Sequence, residues 1–129
     1  MQKDFDGWNN LKKKIDDKNS NELKNIFCRE REIWFCSIGL NIGSEQNGRN
    51  ESFERHVLIF KKVSAETFLV LPLTSNKKSG SWYFELKEKD SSVIIPQIRL
   101  LDVRRLNRKI RTLPVDEFDD IKKRVKEYL

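Results

Sequence analysis

The chain has 129 residues, which suggests one domain built around one core. Hydrophobic residues make up 37% and charged residues 36%, and no apolar run approaches the roughly 18 residues of a membrane span, so a heavily charged folded protein is expected and a membrane-spanning one is not. With 26 basic against 20 acidic residues the net charge is +6, which points to a polyanionic partner.

The N-terminus, Met1-Gln-Lys-Asp-Phe-Asp, lacks the apolar segment of a signal peptide. Residues 4–17 read as an amphipathic helix, with Phe5, Trp8, Leu11 and Ile15 on one stripe and Asp4 or Asp6 as cap. A polar break follows at Asp16–Asn21, and Glu22–Phe27 is expected to add a helical turn. Cys28 and Cys36 are the only cysteines and His56 the only histidine, too few for a zinc site built from Cys and His. Two free thiols and a cytoplasmic setting are expected, with no metal or cofactor.

From Glu32 the pattern changes to strands. Ile33–Leu40 is aromatic and β-branched. Val57–Lys62, Thr67–Leu73, Ser81–Leu86 and Ser92–Ile95 follow, with Lys77–Gly80 as a turn and Ile98–Leu101 prolonging the last strand past Pro96. Asp102–Arg108 reads as a helical turn and Lys109–Leu113 as a final strand. A closing helix is expected over 115–128, with Phe118, Ile121, Val125 and Tyr128 on one stripe and Thr112 as cap. Acids crowd its first turns and bases its later ones, which complements the helix dipole. Helix, five or six short strands, helix is an α+β, β-rich chain, and the strand spacing favours a small barrel or sandwich.

Three segments hold the polar groups that chemistry would need. The first is the loop Gly43–Arg55, longer and denser in charge than a turn requires. Its Glu45 can take a proton from a sugar hydroxyl or brace an arginine. Its Arg55 offers a planar donor fork to phosphate, or serves as a surface arginine paired with Glu54 or Glu45. The second is Pro72-Leu-Thr-Ser75, where Thr74 can donate to a phosphate oxygen or cap a turn. The third is Gln97-Ile-Arg99. Strand ends and their loops share a rim in a small barrel, so these segments can meet. Between Arg99 and Arg111 lie six basic residues (Arg99, Arg104, Arg105, Arg108, Lys109, Arg111) and one acid, Asp102. Such a stretch is either a phosphate-binding surface or a solvated face. Trp34, Trp82, Tyr83 and Phe84 are read mainly as packing residues, although one could stack on a base. His56 is read as structural rather than as an acid or base.

Taken in order, Glu32-Ile-Trp34, Gly43-Ser-Glu-Gln-Asn-Gly48, Arg55-His-Val-Leu-Ile59, Pro72-Leu-Thr-Ser75, Ser92–Arg99 and Arg104-Arg-Leu106 resemble the MazF/PemK toxins of type II toxin–antitoxin systems. The resemblance covers about residues 31–128. It implies an SH3-like barrel over 31–129, preceded by a helical extension over 1–30 and closed by a C-terminal helix, and a homodimer. It also implies a metal-independent endoribonuclease that cuts single-stranded RNA through attack of the 2′-hydroxyl, and a cognate antitoxin. Arg55, Thr74 and Glu45 take the catalytic places. Asn41, Ser44, Gln46, Arg49, Gln97, Arg99, Arg104 and Arg105 take RNA-contacting ones.

The chain departs from that pattern in three places. Asn50–Glu54 looks inserted, His56 replaces a proline, and Pro96 occupies a site that is acidic in several members. The first two leave Arg49 as a rival to Arg55. A non-catalytic RNA- or partner-binding module is the alternative reading. A gyrase-poisoning protein on the same barrel is a third.

Overall fold

The computed structural model describes residues 3–18, 28–39, 48, 53–75, 80–88 and 91–129. Helix α1 spans Phe5–Asp16. The Asp4 carboxylate accepts from the Gly7 N–H at 2.9 Å, satisfying one of the amides that a helix start leaves unpaired. Trp8 and Ile15 are buried, whereas Phe5 at the start of the stripe is 50% exposed.

Seven strands follow among the described residues: β1 (Glu32–Ser37), β2 (Glu54–Lys62), β3 (Thr67–Thr74), β4 (Tyr83–Glu85), β5 (Ser92–Ile94), β6 (Arg99–Asp102) and β7 (Leu106–Thr112). Helix α2 (Val115–Tyr128) closes the chain. All pairings are antiparallel, in the order β4-β5-β3-β2-β1-β7, with β6 also on β3. This is the β-rich α+β architecture expected, with a helix at each end of the chain.

Details differ from expectation. The first strand stops at Ser37 rather than Leu40. The run past Pro96 does not prolong β5. A 3-10 turn at Ile95–Gln97 interrupts it, because proline has no N–H for a ladder. Beyond the turn β6 pairs with the first half of β3 (Phe68↔Leu101), while β5 pairs with its last residues (Leu73↔Val93). The expected turn at 102–108 is a 3-10 turn of three residues, Val103–Arg105, with Asp102 as its cap. Thr112 stays in β7, and the N-cap position of α2 is Pro114, without a side-chain bond. The turn expected over 22–27 lies outside the described residues.

Two apolar clusters flank the central strands. In the first, Ile33, Leu58, Leu71 and Leu73 meet Phe118, Ile121 and Val125 of α2. In the second, Trp34, Cys36, Val57, Ile59, Phe68 and Val70 meet Leu101, Val103 and Leu106. Side chains of successive strand residues alternate between faces. Val57-Leu58-Ile59 is unbroken because both faces of β2 are covered.

Candidate active site

The alternation that sends Val57 and Ile59 into the second core sends Arg55 to the same face, at its edge. Its cross-strand neighbour on β1 is the buried Cys36. The β2–β3 register pairs Val57 with Pro72. That ladder ends there, and Thr74, two residues on, pairs with Ser92 of β5. Arg55 is half-buried and donates from Nη1 to the Leu73 carbonyl at 3.0 Å. That bond fixes the guanidinium across the end of β3, beside a half-buried threonine.

Arg99 opens β6 opposite Val70, on the face that Leu101 presents to the second core. Gln97 ends the 3-10 turn just before it and is half-buried. Arg105 reaches the same rim from the other side, donating to the Ser37 carbonyl at 3.3 Å. Its guanidinium sits 5.6 Å from the centre of the Trp8 ring. Burial lowers the pKa of Arg105, and the like charge of Arg99 adds to the effect. Arg105 thus holds its charge in a partly dry setting.

Most of the basic run is neutralised within the molecule. Arg104 binds Asp102 at 3.0 Å and reaches Glu66 at 4.0 Å, at the end of β3 remote from Thr74. Arg108 faces Glu54 at 3.6 Å, Lys109 bonds Glu32 at 2.9 Å and Arg111 approaches Glu88 at 3.5 Å. Among the described residues only Arg99 and Arg105 of the six make no ion pair. The sequence shows only the nearest of these pairs, Asp102 with Arg104, since Glu54, Glu32 and Glu88 come from distant segments.

Glu54, expected as a partner for Arg55, binds elsewhere. It is buried and accepts from the Asn107 amide at 2.7 Å, which also donates to the Ser37 hydroxyl at 2.9 Å. On that outer face Arg108 lies 3.8 Å over Phe35, and the exposed His56 meets the same ring edge-on. Trp34 is buried, its indole bonded to Glu32, while Trp82 is 59% exposed.

The loop that leaves β1 is tied at its neck. Gly39 donates to the Phe53 carbonyl at 3.2 Å, and Gly48 donates to the Gly39 carbonyl at 2.6 Å. Gly39 has φ +77, and a Cβ there would overlap the Trp8 indole. Trp8 also packs against Phe53, with ring centres 5.7 Å apart. Thus α1 lies on the neck of the loop and stacks on Arg105. Neither contact has a signal in the sequence. Asn41, Ser44, Glu45, Gln46 and Arg49 lie outside the described residues.

Arg55 thus bonds the residue before Thr74, while Arg105 bonds the last residue of β1. Residues 29–129 match the model of the PemK-like, MazF-like toxins of type II toxin–antitoxin systems, and the chain belongs to that family. No curated protein matches it in sequence at a significant level. Solved structures share its fold. MazF from Deinococcus radiodurans is 18% identical, with a TM-score of 0.63 over 78% of this chain and 94% of that one. An endoribonuclease in complex with its cognate antitoxin from a mycobacterial species is 12% identical, with a TM-score of 0.60 over 78% of this chain and 93% of that one. A MazE–MazF complex from Deinococcus radiodurans is 14% identical, with a TM-score of 0.58 and the same coverage. Helix α1 lies outside the family match.

Proposed function

We propose that this protein is a toxin endoribonuclease that cuts single-stranded RNA at a short sequence without a metal, and that a cognate antitoxin neutralises it. The observation that carries the reading is the bond from Arg55 to the Leu73 carbonyl, one residue before Thr74, with Arg105 bonded to the Ser37 carbonyl at the end of β1. Family membership and the named activity of one fold neighbour support it.

In this mechanism the 2′-hydroxyl of the RNA attacks its own phosphorus. The new P–O2′ bond forms, the P–O5′ bond breaks, and the products are a 2′,3′-cyclic phosphate and a 5′-hydroxyl. Glu45 takes the proton from O2′. Arg55 sits against the phosphorane, whose negative charge grows in the transition state, and Thr74 donates to a non-bridging oxygen. Donors fixed before reaction stabilise that charge without reorganising, an effect on the order of 100- to 1000-fold per donor. Gln97, Arg99 and Arg105 hold the strand. A homodimer acting in the cytoplasm is part of the proposal, as is an acidic antitoxin segment laid across the cationic rim.

The test is a long RNA incubated with purified protein in EDTA, its ends mapped by primer extension. Discrete cuts with 5′-hydroxyl ends, lost in Arg55→Ala with folding intact, are expected. RNA bound but uncut would select the binding-module reading. Neither binding nor cuts would overturn the RNA reading altogether.

A further inference from the structure

Helix α1 and the 3-10 turn Val103–Arg105 enclose a cleft of about 370 Å³. That is within the range of small-ligand sites, roughly 300–1,000 Å³. Trp8 and Ile15 form its apolar wall, and Lys12, Lys13 and Arg105 its cationic one. Among the described residues none of these three cations has a carboxylate within 4.0 Å, whereas Arg104 in the same wall is already held by Asp102. Lys18 anchors the helix from its far end, its Nζ donating to the Arg104 carbonyl at 2.6 Å.

The cleft shares Arg105 with the candidate active site. Arg105 donates to the Ser37 carbonyl, and the residue before Ser37 is the cross-strand neighbour of Arg55. A strand of RNA lying across Arg55 therefore meets the mouth of this cleft on leaving the rim.

We propose that the cleft is a subsite for a nucleotide flanking the scissile phosphate, with the RNA backbone on Lys12, Lys13 and Arg105 and the base against the α1 wall. This rests on the ribonuclease reading and extends it to an element outside the family match. The lining favours a nucleotide over an acidic peptide. Asp16 and Asp102 also border the cleft. Asp102 is already taken by Arg104, but Asp16 can accept from the exocyclic amine of a base, a donor that an acidic side chain does not offer. Unpaired lysines next to apolar wall suit a ligand with a charged backbone and a planar apolar face.

The test uses the full chain and fluorescein-labelled, 2′-O-methylated random-sequence RNA of five or eleven nucleotides. Lys12→Glu/Lys13→Glu is compared with Lys123→Glu/Lys126→Glu, which changes net charge equally from the exposed face of α2. The cleft variant should lose about tenfold in affinity for the eleven-nucleotide pool and little for the five-nucleotide one. Its salt slope should fall by about 1.4, the share of two phosphates on single-stranded RNA. The α2 variant should show neither change. Equal losses in both variants, or equal losses at both lengths, would overturn the subsite while leaving the ribonuclease reading standing. Failure of either pool to bind the unaltered chain would overturn both. If oligoglutamate binding depends on Lys12 and Lys13 while RNA binding does not, the cleft fits an acidic protein segment and the subsite is wrong.

Discussion

The two apolar clusters differ in how they end. The first is closed by α2, with Phe118, Ile121 and Val125 sealing Leu58 and Leu71 from water. The second has no α-helix residue among its described members, and the strands and turn that form it carry the half-buried Arg55, Thr74, Arg99 and Arg105. One face of the same strands thus serves stability alone. The other gives up part of its seal to hold cations at half-burial, where charge acts more strongly than in bulk water. The difference shows how a sheet covered on both faces can hold charge at the edge of one of them.

Four changes test this division. The largest effect is expected from Arg55→Ala, with RNA cleavage reduced by about 1000-fold and thermal stability lowered only slightly. A matched loss of folding would remove the distinction between the faces. Next is Ile121→Ala in the closed core. It should cost about 2–5 kcal/mol in denaturant titration, because Ile121 is fully buried, while cleavage per folded molecule stays the same.

Gly39→Ala sits between the two regions. It forces a side chain into the Trp8 indole at positive φ, and should cost about 1–3 kcal/mol. The fluorescence of the Trp8 ring should change with it. An unaltered melting temperature would mean that α1 does not rest on the loop neck.

The smallest effect concerns pH. Burial would raise the pKa of Glu32, but the Lys109 ammonium, the Arg29 N–H and the Trp34 indole outweigh it and lower the pKa. The ionised form is therefore the one that folding favours. Its contribution is present above the ordinary carboxylate value of 4.5 and is lost as pH falls through the lowered folded value. Glu32→Gln should flatten the acid limb of stability and cost on the order of 1 kcal/mol at pH 7. A curve parallel to the unaltered protein would show that Lys109 does not act on this carboxylate.

The elements were legible where one periodicity ruled. Trp8 and Ile15 mark α1, and Phe118, Ile121 and Val125 mark α2, each by helical spacing. The strands were legible as runs, though β5 and β6 were not separable, since only the change of pairing along β3 divides them. The site was partly legible. Arg55, Thr74 and Arg99 stood out through their order in the chain, and Arg55 bonds the carbonyl of the residue before Thr74. What the sequence concealed was charge compensation. Asp102, Glu54, Glu32 and Glu88 neutralise four of six neighbouring cations through pairings set by strand register and loop placement. The landing place of α1 was equally hidden, because Trp8 and Gly39 are joined by packing and by no local pattern.

Arg99 and Arg105, which make no ion pair among the described residues, also bear on how the protein would behave without a bound anion. Two like charges held together oppose folding, and an anion between them relieves that opposition only in the folded state. Any polyanion that binds the rim therefore raises the melting temperature, by the equivalent of about 2.7 kcal/mol at a hundredfold excess over its Kd. Antitoxin and RNA would then act as folding ligands as well as inhibitor and substrate. Toxin released from its antitoxin would be the less durable species, its lifetime set by how quickly RNA takes the vacated rim.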